Sequence, residues 1–132
     1  MEIIIDDSSR LYEIEKEFRS HFPYLKLVFF GFELKENKIF AKENQITDTN
    51  KTLGEIRHTH ISGRVSINGS QKVRILEQHF RKNFGVNLRV LKKSESSWVS
   101  SIAEKNWKLS ELDYNAEEMN ETLKEQSMGS SC

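Results

Sequence analysis

Cysteine and long apolar runs are almost absent from this chain of 132 residues. The single cysteine, Cys132, excludes an intramolecular disulfide and fits a reducing compartment. No apolar run is long enough to cross a bilayer, and the first residues lack the basic start and the long apolar core of a signal peptide. We therefore expect a cytoplasmic protein that has no membrane partner.

Signatures of catalysis and of cofactor binding are missing as well. No Gly-rich phosphate loop is present, and the serines of residues 94–101 have no neighbouring His/Asp arrangement that would activate a nucleophile. His58 and His60 could project from one strand face as metal ligands, with Asp6 or Asp7 as a third ligand. That spacing is weak evidence without a third His or Cys, and polar residues of an edge strand explain it as well. We predict no enzyme, no metal site and no cofactor.

The chain does contain an internal repeat. Residues 3–22 align without a gap with residues 65–84, which lie 62 positions later. Apolar residues recur at spacings of three and four in both copies, as they do on the buried side of a helix. The paired positions are Leu11 and Val73, Ile14 and Leu76, Phe18 and Phe80, and Phe22 and Phe84. Such a repeat indicates one supersecondary unit that is used twice.

Each copy is predicted to contain a strand, a helix, two more strands and a short helical turn. Ser8 and Ser70 stand where helix N-caps belong. Pro23 cannot continue the first helix, and Gly85 can close the second in the left-handed conformation. The predicted strands are residues 2–6, 25–32 and either 38–42 or 45–48 in the first copy, and 60–68, 86–92 and 98–103 in the second.

The fold class that follows is α+β. We expect the two strand–helix–strand–strand–turn units to form one compact body with pseudo-two-fold symmetry, a single mixed sheet and both main helices on one face. Two separate lobes are the alternative. Residues 1–58 would be the first repeat, 59–114 the second, and 115–132 an acidic C-terminal segment that is partly disordered.

The second copy contains the run Lys72-Val73-x-x-Leu76-x-x-x-Phe80-x-x-x-Phe84-Gly85-Val86-x-Leu88-Arg89-Val90, followed by a Leu-x-Glu-Leu turn. In this run the chain resembles small uncharacterised proteins of the Bacteroidota type, some of which carry the unit twice. The order of helix, strand and Leu-centred turn is also similar to the second half of a ubiquitin-like β-grasp domain. Neither resemblance implies an activity, a cofactor or a site residue.

The charge is segregated along the chain although the formal net charge is zero. Residues 57–93 carry nine Lys or Arg and one acid, Glu77, which gives +8, whereas residues 1–56 carry −3 and residues 94–132 carry −5. This pattern predicts a basic docking face for an acidic protein or for nucleic-acid phosphates. The alternatives are a solvated face, or a face that acidic segments of this or a neighbouring chain cover.

Several aromatic residues are candidates for a partner interface. The run 28–32 is apolar on both faces of its strand, so Phe30 or Phe32 should lie in a subunit contact or beneath the C-terminal segment. Trp107 is assigned to the core. Trp98 is assigned either to the core or to a partner interface, where Trp is enriched.

Together these patterns predict a non-enzymatic interaction or adaptor module that docks an acidic protein through the basic face of the second repeat. The alternative is a nucleic-acid-associated protein that uses the same face. It is less favoured because no aromatic residue is interleaved with the cations at stacking positions. A homodimer is also considered. The residues assigned to partner binding are Arg64, Arg74, Arg81, Lys82, Arg89, Phe30 and Trp98.

Overall fold

The computed structural model describes residues 1–31 and 39–130, with side chains as far as Thr122. Helices and antiparallel strands alternate along the chain, so the fold is α+β. The helices and strands are, in order, β1 (Glu2–Ile5), α1 (Leu11–His21), β2 (Leu25–Phe30), β3 (Gln45–Ile46), α2 (Leu53–Ile56), β4 (Gly63–Ser66), α3 (Val73–Phe84), β5 (Asn87–Ser94), β6 (Ser97–Ser100) and α4 (Leu109–Ser130). A 3-10 turn, Ile102–Glu104, follows β6. No helix among the described residues is long and apolar enough to cross a membrane.

The strands form two antiparallel sheets. β1 pairs with β4, and Ile3 lies opposite Val65. The second sheet has the order β3-β2-β5-β6, and at its centre Val28 lies opposite Arg89. The prediction of a single mixed sheet is therefore wrong. It fails because strands of the first half pair with strands of the second half in opposite directions, and β1 and β4 pair with each other over their whole length.

One hydrophobic core joins the two halves of the chain. All eight residues of the two predicted helical stripes are buried in it, which confirms the spacing argument. The inward residues of β2 and β5, among them Leu27 and Val90, lie in the same cluster and opposite each other in the sheet. Paired residues share a sheet face, so α1 and α3 both pack on one face. A shared core excludes two separate lobes.

The two serines predicted to cap the main helices do not do so. Both helices begin three residues further on, after Arg10 and Lys72, which make no side-chain cap. The Ser8 hydroxyl instead donates to Asp6 Oδ1 at 2.5 Å, and Ser70 donates to Asn68 Oδ1. Short polar side chains bind local partners in turns as readily as helix ends. Here the turn that precedes the helix uses the serine.

Backbone carbonyls of a distant segment cap the helices. In α1 the N–H groups of Leu11 and Tyr12 donate to the carbonyls of Lys51 and Thr49, both at 3.0 Å. The matching bonds of α3 run from Val73 N–H to the Trp107 carbonyl (3.0 Å) and from Arg74 N–H to the Lys105 carbonyl (2.9 Å). These bonds occur at aligned positions of the two halves. The superposition of residues 3–22 on 65–84 stays a prediction.

The C-terminal part of the described chain is one continuous helix, α4. Leu109, Leu112 and Ala116 are buried at helical spacing and anchor it in the core. The sequence predicted a short turn here and a separate helix after residue 115, and the boundary proposed at residue 114 lies inside α4. The turn was extended because no Gly or Pro interrupts the chain between Leu109 and Met128.

We expect Phe18→Ala and Phe80→Ala to destabilise the protein equally. Both side chains are completely buried and occupy aligned positions of α1 and α3. Emptying a buried aromatic site costs about 3–5 kcal/mol, and urea unfolding measures it. If the two free energies differ by several kcal/mol, the two helices have different roles in the core.

Candidate functional site

A cavity of about 210 Å³, here called the basic cavity, brings together three of the predicted docking residues. β6 pairs only with residues 91–94 of β5, which leaves the edge of residues 87–90 open. The cavity lies beside this open edge. Its lining residues are Phe40, Arg74, Glu77, Gln78, Arg81, Asn87, Leu88, Arg89 and Lys105.

Helical spacing explains how α3 contributes to the basic cavity. Arg74 and Arg81 are two turns apart and lie beside the buried stripe, with Glu77 between them. On β5, Leu88 and Val90 are buried in the core, so the strand's alternation turns Arg89 to the other face. The cations of helix α3 and of strand β5 therefore point into the same basic cavity, although side chains repeat every 3.6 residues in the helix and every two residues in the strand.

The hydrogen bonds at the basic cavity leave most of its positive charge unneutralised. Glu77 accepts the Val90 N–H at 3.0 Å and lies 3.2 Å from Arg89 Nη1. Arg89 also stacks on the Phe40 ring, 3.8 Å from its centroid. Arg74 Nε donates to Asn106 Oδ1 at 2.7 Å, which carries no charge. Among the described residues, Arg81 and Lys105 form no ion pair.

A second cavity of about 260 Å³, here called the apolar cavity, adjoins the basic cavity. The two share four lining residues, Phe40, Glu77, Arg89 and Lys105. Most of the remaining wall is apolar. Val28, Phe30 and Leu91 belong to the outer face of the four-stranded sheet, Ile102 belongs to the turn after β6, and Val90 is the core residue of β5 at this edge.

A third cavity of about 330 Å³, here called the first-half cavity, lies against α1 and β2. Its lining occupies positions that align with those of the basic cavity, but fewer of its side chains are basic. Tyr12 aligns with Arg74, Val28 with Arg89 and Thr49 with Lys105. Both cavities have an acid and a base at the same spacing, since Glu15 and Arg19 align with Glu77 and Arg81. Burial raises the pKa of Glu15 above its usual range.

The other predicted docking residues lie outside the basic cavity. Arg64 is exposed on β4, 3.6 Å from Glu2, and Lys82 is exposed on α3. Trp98 is half-buried on β6, with Arg19 over its ring at 5.0 Å. None of these three lines the basic cavity.

The structure corrects two expectations about aromatic residues. Phe30 is only 6% exposed and packs edge-on against Phe40, with 5.2 Å between centroids, so it is no free anchor. Met119 is exposed and does not cover it. Phe32 lies outside the described residues. Trp107 is 39% exposed instead of being in the core, because its carbonyl is committed to capping α3 and the buried α4 residues begin only at Leu109.

The lining residues that sequence reasoning missed include Phe40 and Lys105. Both lie in irregular segments, where no periodicity shows the direction of a side chain. The signal that was available is the alignment itself, because Lys105 stands where the first half has Thr49 and only the second half carries a charge there.

A separate ion cluster surrounds the buried guanidinium of Arg57. Nε and Nη2 donate to Asp7 Oδ1 at 3.2 and 2.8 Å, and Nη1 donates to the carbonyls of Ile61 and Phe84 at 3.0 and 2.9 Å. His60 Nδ1 lies 2.8 Å from Asp7 Oδ2. Hydrogen bonds from His60 and Arg57 lower the pKa of Asp7. The carboxylate considered as a metal ligand therefore has a structural role here.

Comparison with known proteins gives no relatives for this chain: no family model, no curated protein and no solved structure matches it.

Replacement of Arg57 by Met should destabilise the protein strongly. The guanidinium is fully buried, and its loss removes the donor to Asp7 Oδ1 and to the carbonyls of Ile61 and Phe84. A buried acceptor that loses its donor costs about 1–3 kcal/mol. The control is Arg64→Met, which removes the exposed pair with Glu2 and should cost about 1 kcal/mol or less. Equal losses in urea unfolding would contradict the structural role of Arg57.

Asp7→Asn should change how stability depends on pH. Because the folded pKa is below the unfolded value of about 3.9, ionised Asp7 stabilises the fold above that pH, and the contribution is lost as pH falls through the folded pKa. We expect the variant to be less stable at neutral pH and to lose less stability on acidification. Urea midpoints from pH 7 to below 3, with the exposed Glu121→Gln as control, measure this. Parallel curves for wild type and Asp7→Asn would contradict it.

Proposed function

We propose that this protein is a non-enzymatic interaction module that binds an acidic segment of a partner protein in the basic cavity. The observation that carries this proposal is the lining itself, in which three guanidinium groups and one ammonium group face one acid. That acid, Glu77, is already engaged by Arg89 and the Val90 N–H. Unpaired cations at a concave surface repel one another until an anion binds between them.

The first-half cavity supports a specific site over a generally solvated face. Three aligned positions are neutral there and cationic in the basic cavity, namely Tyr12 and Arg74, Val28 and Arg89, and Thr49 and Lys105. A solvated face needs charge only on its exposed outer side. Here the difference in charge falls on the walls of a cavity, which favours a ligand.

The acidic segments of this chain leave the basic cavity open in the part of the chain that the structure describes. The acids of α4 form no ion pair with Arg74, Arg81 or Lys105, and no such pair is found along residues 109–122. Among the described residues, the acid that lines the cavity together with these cations is Glu77 on α3 itself. The proposed source of the neutralising anion is a partner molecule.

Aromatic geometry favours a protein partner over nucleic acid. Bases bind proteins by stacking on open aromatic faces. In this chain Arg89 covers a face of Phe40 at 3.8 Å and Arg19 lies over Trp98 at 5.0 Å. Cations of the protein itself thus cover one face of each of these two rings. A homodimer and a cytoplasmic location stay predictions.

The test compares two double variants that each remove two positive charges. Arg81→Gln with Lys105→Gln changes the cavity, whereas Lys82→Gln with Lys108→Gln changes exposed neighbours outside it. Isothermal titration with poly-L-glutamate should show at least about tenfold weaker binding for the cavity variant, since each charge-assisted hydrogen bond contributes about 1.5–3 kcal/mol. The control variant should lose much less.

Equal weakening of both variants would mean that binding follows net charge alone, and the cavity would not be a site. A thymidine oligonucleotide of similar charge is the second titrant. Tighter binding of the oligonucleotide, with loss in the cavity variant and a steep salt dependence, would replace the acidic protein with nucleic acid. Melting temperatures of both variants should stay close to the wild-type value, because exposed charges contribute little to stability.

A further inference from the structure

From the two adjoining cavities we infer that the partner segment is extended and carries an acidic residue and an apolar residue two positions apart. This inference rests on the proposed function and specifies its ligand. The acidic side chain would bind in the basic cavity, and the apolar side chain would enter the apolar cavity. The segment would run beside the open edge of β5.

The contact between the two cavities supports a ligand with two unlike groups. They share the lining residues Phe40, Glu77, Arg89 and Lys105, so the two cavities adjoin. On one side of this shared boundary lie Arg74 and Arg81. On the other side lie the apolar side chains of the sheet's outer face and of Ile102, which is 60% exposed. An exposed isoleucine beside a cationic pocket gains from covering by an apolar group.

The sizes of the cavities favour side chains over a small-molecule ligand. Pockets for small ligands usually enclose about 300–1,000 Å³. The basic cavity, at about 210 Å³, is smaller than this range, and so is the apolar cavity, at about 260 Å³. Each is suited to one side chain. A chain that contributes a side chain to each must pass across the boundary between them.

Strand geometry gives the spacing of the two groups. In an extended chain, residues i and i+2 point to the same side and lie roughly 6.5 Å apart. Neighbouring residues point to opposite sides, so an acid and an apolar residue next to each other would not enter adjoining cavities together. The motif is therefore an acidic residue and an apolar residue, in either order, separated by one residue of any type.

The probes are capped peptides of both orders, Gly-Glu-Gly-Leu-Gly and Gly-Leu-Gly-Glu-Gly, each with variants that have Gln for Glu or Ser for Leu, titrated into the full ¹⁵N-labelled chain. Replacement of Leu by Ser should weaken binding about tenfold, which is the affinity expected from burying one such side chain. Replacement of Glu by Gln should weaken it at least as much. Amide shifts should include residues near Arg81 and Ile102.

The protein variant that isolates the apolar part is Ile102→Ser, with Ile61→Ser as its control. Ile61 is 54% exposed and lines neither cavity. Ile102→Ser should remove most of the preference for Leu, whereas Ile61→Ser should keep it. Both positions are exposed, so both variants should fold, and their amide spectra verify this.

The outcomes separate this inference from the proposed function. If Leu and Ser peptides bind wild type equally while Arg81→Gln with Lys105→Gln weakens both, acidic docking stands and the apolar subsite is wrong. If the preference for Leu survives in Ile102→Ser, the subsite is not the apolar cavity and the inference also fails. If the Glu and Gln peptides bind alike and the cavity variant changes neither, both proposals are wrong.

Discussion

The backbone bonds between the start of each main helix and a distant loop determine much of this structure. The first N–H groups of a helix have no partner inside it, and burying them without an acceptor is costly. Here the Arg74 N–H binds the Lys105 carbonyl, so the bond that caps α3 also places two cations beside one cavity. The bond between Tyr12 and Thr49 places two neutral side chains at the aligned position. The backbone bonds thus place side chains beside each cavity, and the types of these residues determine the charge of the cavity.

Each short Leu-x-Glu segment, at residues 53–56 and 109–112, is followed by a residue that hydrogen-bonds to the other half of the chain. Arg57 follows the first segment and donates to the Phe84 carbonyl at the end of α3. Asp113 follows the second and accepts the Tyr24 N–H just beyond α1, at 2.9 Å. The charges are opposite because one end offers a carbonyl and the other an N–H. Asp113 is half-buried at this contact, and burial raises its pKa.

Periodic elements could be predicted from the sequence, and irregular ones could not. The stripes of α1 and α3 are buried as spacing requires, and Arg74, Arg81 and Arg89 meet because periods of 3.6 and 2 determine their directions. Gly85 closes α3 with φ of 64°, as its lack of a side chain allows. The prediction that Ser8 and Ser70 cap the two main helices was wrong, because carbonyls from far along the chain accept the first N–H groups of these helices instead. Long-range pairing of this kind leaves no local pattern.

Glu77 has a consequence for how copies of this protein behave toward one another. On the side of β5 away from β2, residues 87–90 have no neighbouring strand, and a free strand edge is a template on which another chain can add. The Glu77 carboxylate occupies the Val90 N–H, and the Ser101 hydroxyl occupies the Val90 carbonyl. At Val90 the backbone groups are therefore unavailable to a further strand, although the edge has no neighbouring strand there. Side chains from outside β5 thus protect part of the open edge from pairing with another copy.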